Sequence, residues 1–196
     1  MHKSLLFFSL LDQLVSRGDI TQEMANEIRN GRYRFMTPEL YVRAQLSFSS
    51  GNPQKLLDKT KSFAEGTIPI DKGRLNGGDI VLVTHASLKW DQIASASAAE
   101  AIYLNTKTGI QAGLLNASVY VKKNGNNVAN IPVSKMLTEA AADRVDNVFY
   151  ELENPILYTD KADIEIGLNY PTISGHSFTA DTYAEIMLDG PGLSLK

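Results

Sequence analysis

From Asp79 to Trp90 the residues read as two interleaved sets. Ile80, Leu82, Thr84, Ala86, Leu88 and Trp90 form one set, and Asp79, Val81, Val83, His85, Ser87 and Lys89 form the other. A period of two predicts a long pleated strand, because successive side chains leave opposite faces of the backbone. The same signal recurs down the chain. Ala117, Val119 and Val121 alternate with Ser118, Tyr120 and Lys122, and Asn124-Gly125-Asn126-Asn127 then marks a turn before a returning strand through Val128, Ile131 and Val133. Val148, Tyr150 and Leu152 alternate with Phe149, Glu151 and Glu153, and Ala162, Ile164, Ile166, Leu168 and Tyr170 alternate with Asp163, Glu165, Gly167 and Asn169. A last strand runs from Thr182 to Leu188, and an early one has Val42, Ala44, Leu46 and Phe48 on one face. Seven to nine strands are expected, with long, varied connections and no regular alternation of strand and helix. That excludes a parallel doubly wound sheet and predicts an antiparallel β-sandwich of the Greek-key or single jelly-roll kind.

The first third of the chain predicts helices instead. Ser4 is a candidate cap for a helix with Phe7, Leu10, Leu11, Leu14 and Val15 at helical spacing and Gly18 as its stop. Thr21 is placed to cap a second helix to about Asn30, with Met24, Ala25 and Ile28 on one face and Gly31 as its end. Two helices this short need a surface to dock on, whether their own domain or a neighbour. Asn52-Pro53 predicts a further helix near 53–64, striped by Leu56, Leu57, Thr60, Phe63 and Ala64. Short helices are also expected near 134–143 and, less sharply, over Ile93 to Ala101. The predicted organisation is a helical N-terminal arm, residues 1–36, followed by a β-sandwich domain, residues 37–196.

Composition narrows the function classes. The 196 residues contain no cysteine, which removes thiol catalysis and thiolate metal sites. A chain this long buries roughly 70% of its unfolded surface and needs no disulfide or metal to hold a core. The net charge of -3 does not mark a nucleic-acid binder. Residues 1–66 carry nine basic and seven acidic side chains, and residues 67–196 carry ten and fifteen, a modest complementarity between the two parts. The opening Met1-His2-Lys3-Ser4-Leu5-Leu6-Phe7-Phe8 has a basic head and an apolar run, but Asp12 interrupts it and no small-x-small site follows, so an amphipathic helix is expected rather than a leader. No apolar stretch is long enough to predict a membrane-spanning helix.

No constellation of reactive residues assembles. The three histidines, His2, His85 and His176, show no HExxH or paired spacing, and His85 is expected as a partly buried sheet residue. Ser174-Gly175-His176-Ser177 with Asp181 holds the residue types of a hydrolase triad, but one loop is a poor scaffold for groups that must converge from separate elements. The glycine-rich run from Gly73 to Asp79 leads into a strand and lacks the helix N-terminus that phosphate binding uses. Asp160, Asp163 and Glu165 lack calcium-loop spacing and read as a solvated strand face. Arg29, Arg32 and Arg34, interleaved with Tyr33 and Phe35, are too few to hold nucleic acid at physiological salt. Arg17-Gly18-Asp19 spells an adhesion tripeptide at a predicted helix stop, and Asn116-Ala117-Ser118 is a formal sequon inside a predicted strand. The expectation is no catalytic, cofactor or metal site, and no small-molecule substrate.

A cysteine-free β domain with a helical arm, its predicted strands spanning about Arg43 to Leu188, resembles the single jelly-roll structural proteins of virus particles, including bacteriophage capsid and vertex proteins. The resemblance implies a non-enzymatic virion protein, assembled in the host cytoplasm without cofactor, whose partners are copies of itself and other virion proteins. It further implies an arm that locks subunits together, with Phe7, Leu10, Leu11, Leu14 and Ile28 as interface anchors. The alternative is a receptor- or carbohydrate-binding sandwich of a phage tail or bacterial surface. Trp90, Tyr103, Tyr120, Tyr158, Tyr170 and Tyr183 fall mostly inside predicted strands, which disfavours an open stacking platform for sugar. An enzyme built on Asp71, Asp79, Asp91 and His85 is a third class.

Overall fold

The computed structural model describes residues 3–38, 40–93, 97–138, 149–174, 177–178 and 180–196. Two helices open the chain, α1 (Lys3–Ser16) and α2 (Gln22–Arg29), followed by β1 (Tyr33–Met36), β2 (Tyr41–Leu46), β3 (Pro53–Leu57) and β4 (Asp79–Gln92). A one-turn α3 (Ala112–Leu115) precedes β5 (Ser118–Lys123) and β6 (Asn126–Pro132), and then come β7 (Tyr150–Thr159), β8 (Ile164–Asn169), β9 (Thr182–Asp189) and β10 (Gly192–Leu195). The protein is mainly β, with a helical N-terminus and antiparallel sheets in a sandwich.

Eight strands pair in a nested pattern, β2 with β9, β3 with β8, β4 with β7 and β5 with β6, as though one long hairpin had been rolled up. Further pairs, β4 with β9 and β5 with β8, join these hairpin arms into two layers. The smaller layer runs β3-β8-β5-β6, and the larger contains β2, β9, β4 and β7 with β10 and β1 added along the first half of β4. Val42, Val83, Leu88, Tyr158 and Ile186 of the larger sheet meet Leu56, Val119, Val121, Ile166 and Leu168 of the smaller in one buried core. The Asn124-Gly125 turn is a two-residue hairpin with both residues at positive φ, 53° and 81°, which is why asparagine and glycine stand there.

β4 departs from its expected single alternation. Its register shifts between Val83 and His85, where two positions advance on β4 against five on β7. Before the shift Val81 and Val83 face the inter-sheet core, and after it Ala86, Leu88 and Trp90 do. The irregularity resets parity, so Ile80 and Leu82 lie on the opposite face from Ala86 and Leu88 rather than with them.

The helix expected near 53–64 is not formed; that segment begins as strand β3 on the edge of the smaller sheet. Leu56 and Leu57 are both buried and Phe63 is 60% exposed, so the apparent helical stripe is not one face. Pro53 sits at the first position of an edge strand, where a missing N–H is tolerated. The chain then turns at Asp58, whose Oδ1 accepts hydrogen bonds from the Thr60 amide (2.8 Å) and hydroxyl (2.6 Å). Near 134–143, a single 3-10 turn covers Val133–Lys135, and residues 139–143 lie outside the described residues. In the 93–101 stretch the described residues form a turn at 98–100 and no helix. β1 and β10 are strands that alternation alone did not predict. β1 also moves residues 33–36 out of the arm and into the sandwich sheet.

Gln54 ties the two layers at one edge. Its Oε1 accepts from the Ser47 amide (2.9 Å) and the Tyr170 hydroxyl (2.6 Å), while its Nε2 donates to the Gln45 carbonyl (3.0 Å). The side-chain amide thus substitutes for a neighbouring strand along β2. Gln54→Leu keeps similar bulk but strands three polar groups, and is expected to cost about 2–4 kcal/mol. Urea unfolding measures it; an unchanged midpoint would mean that water replaces the amide at no cost.

Candidate interaction surface

The arm folds onto its own sheet. Phe7, Leu11, Leu14, Ile20, Ala25 and Ile28 form a second buried cluster with Ile80, Leu82, Leu157 and Leu193 on the outer face of the larger sheet. The expected helix punctuation is present. The Thr21 hydroxyl accepts from the Met24 amide at 3.1 Å, and Gly18 and Gly31 both have φ of +74°. α1 starts at Lys3, one residue before the expected Ser4 cap.

Four of the five expected anchors, Phe7, Leu11, Leu14 and Ile28, are therefore buried within the chain itself, and Leu10 is half-buried beside them. An intersubunit contact through these four requires the arm to leave this sheet for a neighbour's. What the arm exposes is a different set: Leu5 (60% exposed) and Phe8 (41%), with the Phe8 ring packed edge-on against Phe35 of β1 (42%) at 5.6 Å. Three and four residues apart are neighbours on a helix, so Leu5 and Phe8 share a stripe adjoining that of Phe7, Leu11 and Leu14. The sequence pattern gave no means of deciding which stripe would meet the sheet.

Charged groups clasp the arm. Arg17 Nε lies 3.0 Å from Asp19 Oδ2, Lys123 Nζ of β5 lies 3.6 Å from Asp19 Oδ1, and Arg17 Nη2 donates to the Pro155 carbonyl at 3.3 Å. Arg17-Gly18-Asp19 is thus a helix-stop turn whose two charges engage each other and the sandwich, not an extended tripeptide. Arg29 pairs with Asp12 at 2.5 Å and Arg32 with Glu27, so two of the three clustered arginines are held by carboxylates. Tyr33 packs against the arm's core and Phe35 against Phe8, which leaves no interleaved aromatic platform for nucleic acid.

The remaining reactive residues serve as structural ties. His85 is half-buried, with Nδ1 2.8 Å from the Thr84 hydroxyl and its ring edge-on to Phe149. Gly175 and His176 lie outside the described residues, and Asp181 accepts from Gln45 Nε2 at 3.0 Å. Asp160 accepts from the Gly78 amide (2.9 Å), Asp163 from Arg74 (2.6 Å), Asp71 from the Phe63 amide (3.2 Å) and Asp91 from the Ile102 amide (2.7 Å). Among the described residues, no three histidine or carboxylate side chains converge as metal ligands. Trp90, Tyr120, Tyr158, Tyr170 and Tyr183 are buried, and half-buried Tyr103 donates its hydroxyl to the Ala98 carbonyl at 2.5 Å.

Sequence reading missed two ion clusters. On the outer face of the larger sheet, away from the arm, Glu185 is only 3% exposed and is held by Arg43 (2.7 Å) and Lys89 (3.4 Å). The Arg43 guanidinium lies 5.1 Å from the Tyr41 ring centre and 5.4 Å from that of Tyr103, and burial pushes the Tyr103 hydroxyl up to about 12. On the smaller sheet, a 290 Å³ pocket is lined by Lys55, Asp58, Lys59, Asn124, Asp163 and Glu165 among others. Partial burial pushes the Glu165 carboxyl up, but the ammonium groups of Lys122 (2.8 Å) and Lys55 (3.3 Å) outweigh it and hold it below the usual carboxylate range. In each cluster the partners come from strands far apart in sequence, so no local spacing announces them.

A scan of protein-family models finds no match to this chain, and a search of curated proteins finds none either.

Two measurements follow from this arrangement. Leu14→Asp places a carboxylate in the second core and is expected to cost about 3–5 kcal/mol and release the arm. It should increase binding of an apolar dye to the uncovered sheet, and unchanged dye binding and stability would refute intramolecular docking. Because the Glu165 carboxyl is depressed, its stabilisation is full above the unfolded value of about 4.3 and is lost as pH falls through the lower folded value. Lys122→Met should therefore raise the Glu165 titration midpoint in a carboxyl-carbon NMR titration and move acid unfolding to higher pH.

Proposed function

We propose that this chain is a non-enzymatic structural protein of a virus particle, a single jelly roll that self-associates or docks onto neighbouring capsid proteins. The observation that carries the reading is the nested pairing, β2 with β9, β3 with β8, β4 with β7 and β5 with β6, which gives four strands to each layer, the larger being extended by β10 and β1. Eight strands rolled in this order resemble the double Greek key of jelly rolls, which supports the reading. A sandwich of this kind offers its rims and edges to neighbours while its core stays closed, which suits a tile in a shell. Asp71, Asp91 and Asp160 accept backbone amides, and the Glu185 and Glu165 carboxylates are each neutralised by two basic side chains, in keeping with a protein that works through surfaces. The inward-turned aromatics weigh against the sugar-binding alternative.

Light scattering and negative-stain imaging of the purified full chain test the reading. Discrete oligomers or regular particles are expected, either alone or on mixing with the other proteins of the particle. A monomer at every concentration that also binds glycans on an array would overturn it in favour of a recognition module.

A further inference from the structure

We propose that β1 is a docking edge for a second copy of this chain, forming a two-fold antiparallel β1–β1 contact centred on Phe35. This deepens the self-association reading above and rests on it for the choice of a second copy as partner.

The backbone supplies the first argument. Lys196 N–H donates to the Arg32 carbonyl at 3.1 Å, and β1 pairs with β10 in unbroken register from Tyr33–Leu195 to Met36–Gly192. Bonded pairs alternate along an antiparallel ladder, so Arg34 and Met36 bond to β10 while the N–H and C=O groups of Tyr33 and Phe35 point away from the sheet. Among the described residues β1 ends this sheet, and a row of outward donors and acceptors is the template for another strand.

The other edges explain why the matching strand is β1 itself. On β2, the Arg43 amide donates to the Thr67 carbonyl at 2.9 Å, and Gln54 covers the Gln45 carbonyl and Ser47 amide. β3 opens on Pro53 and shifts register between Lys55 and Leu57. On β6, the Val133–Ala117 bond sets the alternation so that Pro132, which has no N–H, occupies an outward position. β7 carries Pro155 within its irregular stretch. Proline, bulges and covering side chains are how proteins blunt edges. β1 has none of these, and it adjoins the exposed Leu5, Phe8 and Phe35.

Charge chooses the register. Centring the two-fold on Arg34 would set two guanidinium groups directly opposite, a destabilising pair. Centring it on Phe35 places Arg34 opposite Met36 of the second copy and Tyr33 opposite Thr37. The two Phe35 residues then exchange both backbone bonds, and Phe8 and Leu5 of each copy extend the apolar contact beyond the strand.

Because the chain has no cysteine, one introduced thiol can bridge only to another copy. In a bonded antiparallel pair the Cα atoms are about 5.5 Å apart, inside the disulfide range of about 4.4–6.8 Å. Phe35→Cys is therefore expected to form a covalent dimer almost completely under mild oxidation. Arg34→Cys, exposed on the other face and offset by two residues from its counterpart, should stay largely uncrosslinked, since bridging fails beyond about 7 Å. The unmodified chain should scatter light as a dimer, and Phe35→Lys should weaken dimerisation at least 10-fold with an unchanged circular dichroism spectrum. Equal crosslinking of the two cysteine variants, or a dimer untouched by Phe35→Lys, would overturn the proposal. Particles that assemble normally from Phe35→Lys without any Phe35→Cys crosslink would overturn it while sparing the virion reading. A Phe35-crosslinked dimer that never enters a particle would support it and sink that reading instead.

Discussion

Strand β4 is shared by both hydrophobic cores, and the register shift between Val83 and His85 makes that sharing possible. A strand buried on both faces along its whole length needs apolar residues at every position. β4 meets that demand only at its start, where Ile80 and Leu82 lie under the arm while Val81 and Val83 enter the inter-sheet core. Past the shift the inward set continues as Ala86, Leu88 and Trp90, and the outward set becomes His85, Ser87, Lys89 and Asp91. The arm covers the apolar half, and the Glu185 cluster lies over the polar half. Gly190 helps to hold this arrangement: a Cβ there would stand 1.9 Å from the Leu82 carbonyl oxygen, so the link from β9 to β10 can run this close beside β4 only with glycine.

The period-two strands were legible in the sequence because each buries one face, which leaves alternation in its residues. β5 and β8 were plain for that reason, and the β5–β6 turn was plain because Asn124-Gly125 supplies two positive-φ residues. β3 was not legible. Asn52-Pro53 is chemically a good helix opening, and Leu56, Leu57, Thr60, Phe63 and Ala64 fit a helical stripe. Pairing with β8 and burial of Leu56 and Leu57 outweighed that local preference. β4 was legible as a strand but not in its facing, since the residue that resets parity is set by β7, some seventy positions further on.

The surface was harder to read than the core. Periodicity found the apolar residues of α1 but could not tell the stripe that meets Ile80 and Leu82 from the one that stays exposed at Leu5 and Phe8. Both stripes are leucine and phenylalanine, and only the position of the sheet distinguishes them. The ion clusters were invisible for a related reason. Arg43 and Glu185 are 142 positions apart, and Lys122 and Glu165 are 43 apart. Burial makes the first pair matter: losing Arg43 would leave the Glu185 charge, 3% exposed, where little water reaches it.

A sandwich that closes its own core still has to manage its edges, and the management here is uneven. Gln54 spans from β3 to β2 with its amide in place of a strand, which costs an ordered side chain but occupies the Gln45 carbonyl and Ser47 amide that a partner strand would need. Pro132 and Pro155 do the same for the rim between β6 and β7 by removing donors or regularity. These are separate devices on separate strands, and the rim where the arm passes into the sheet carries none of them within β1. That rim is also where α1, β1 and β10 meet, within a few residues of the arm's docking core. A contact made there bears on both cores at once, through Leu193 and Tyr33 to the arm and through Met36 to the sandwich interior. Association at β1 would thus be felt in the stability of the whole fold rather than at a detached surface.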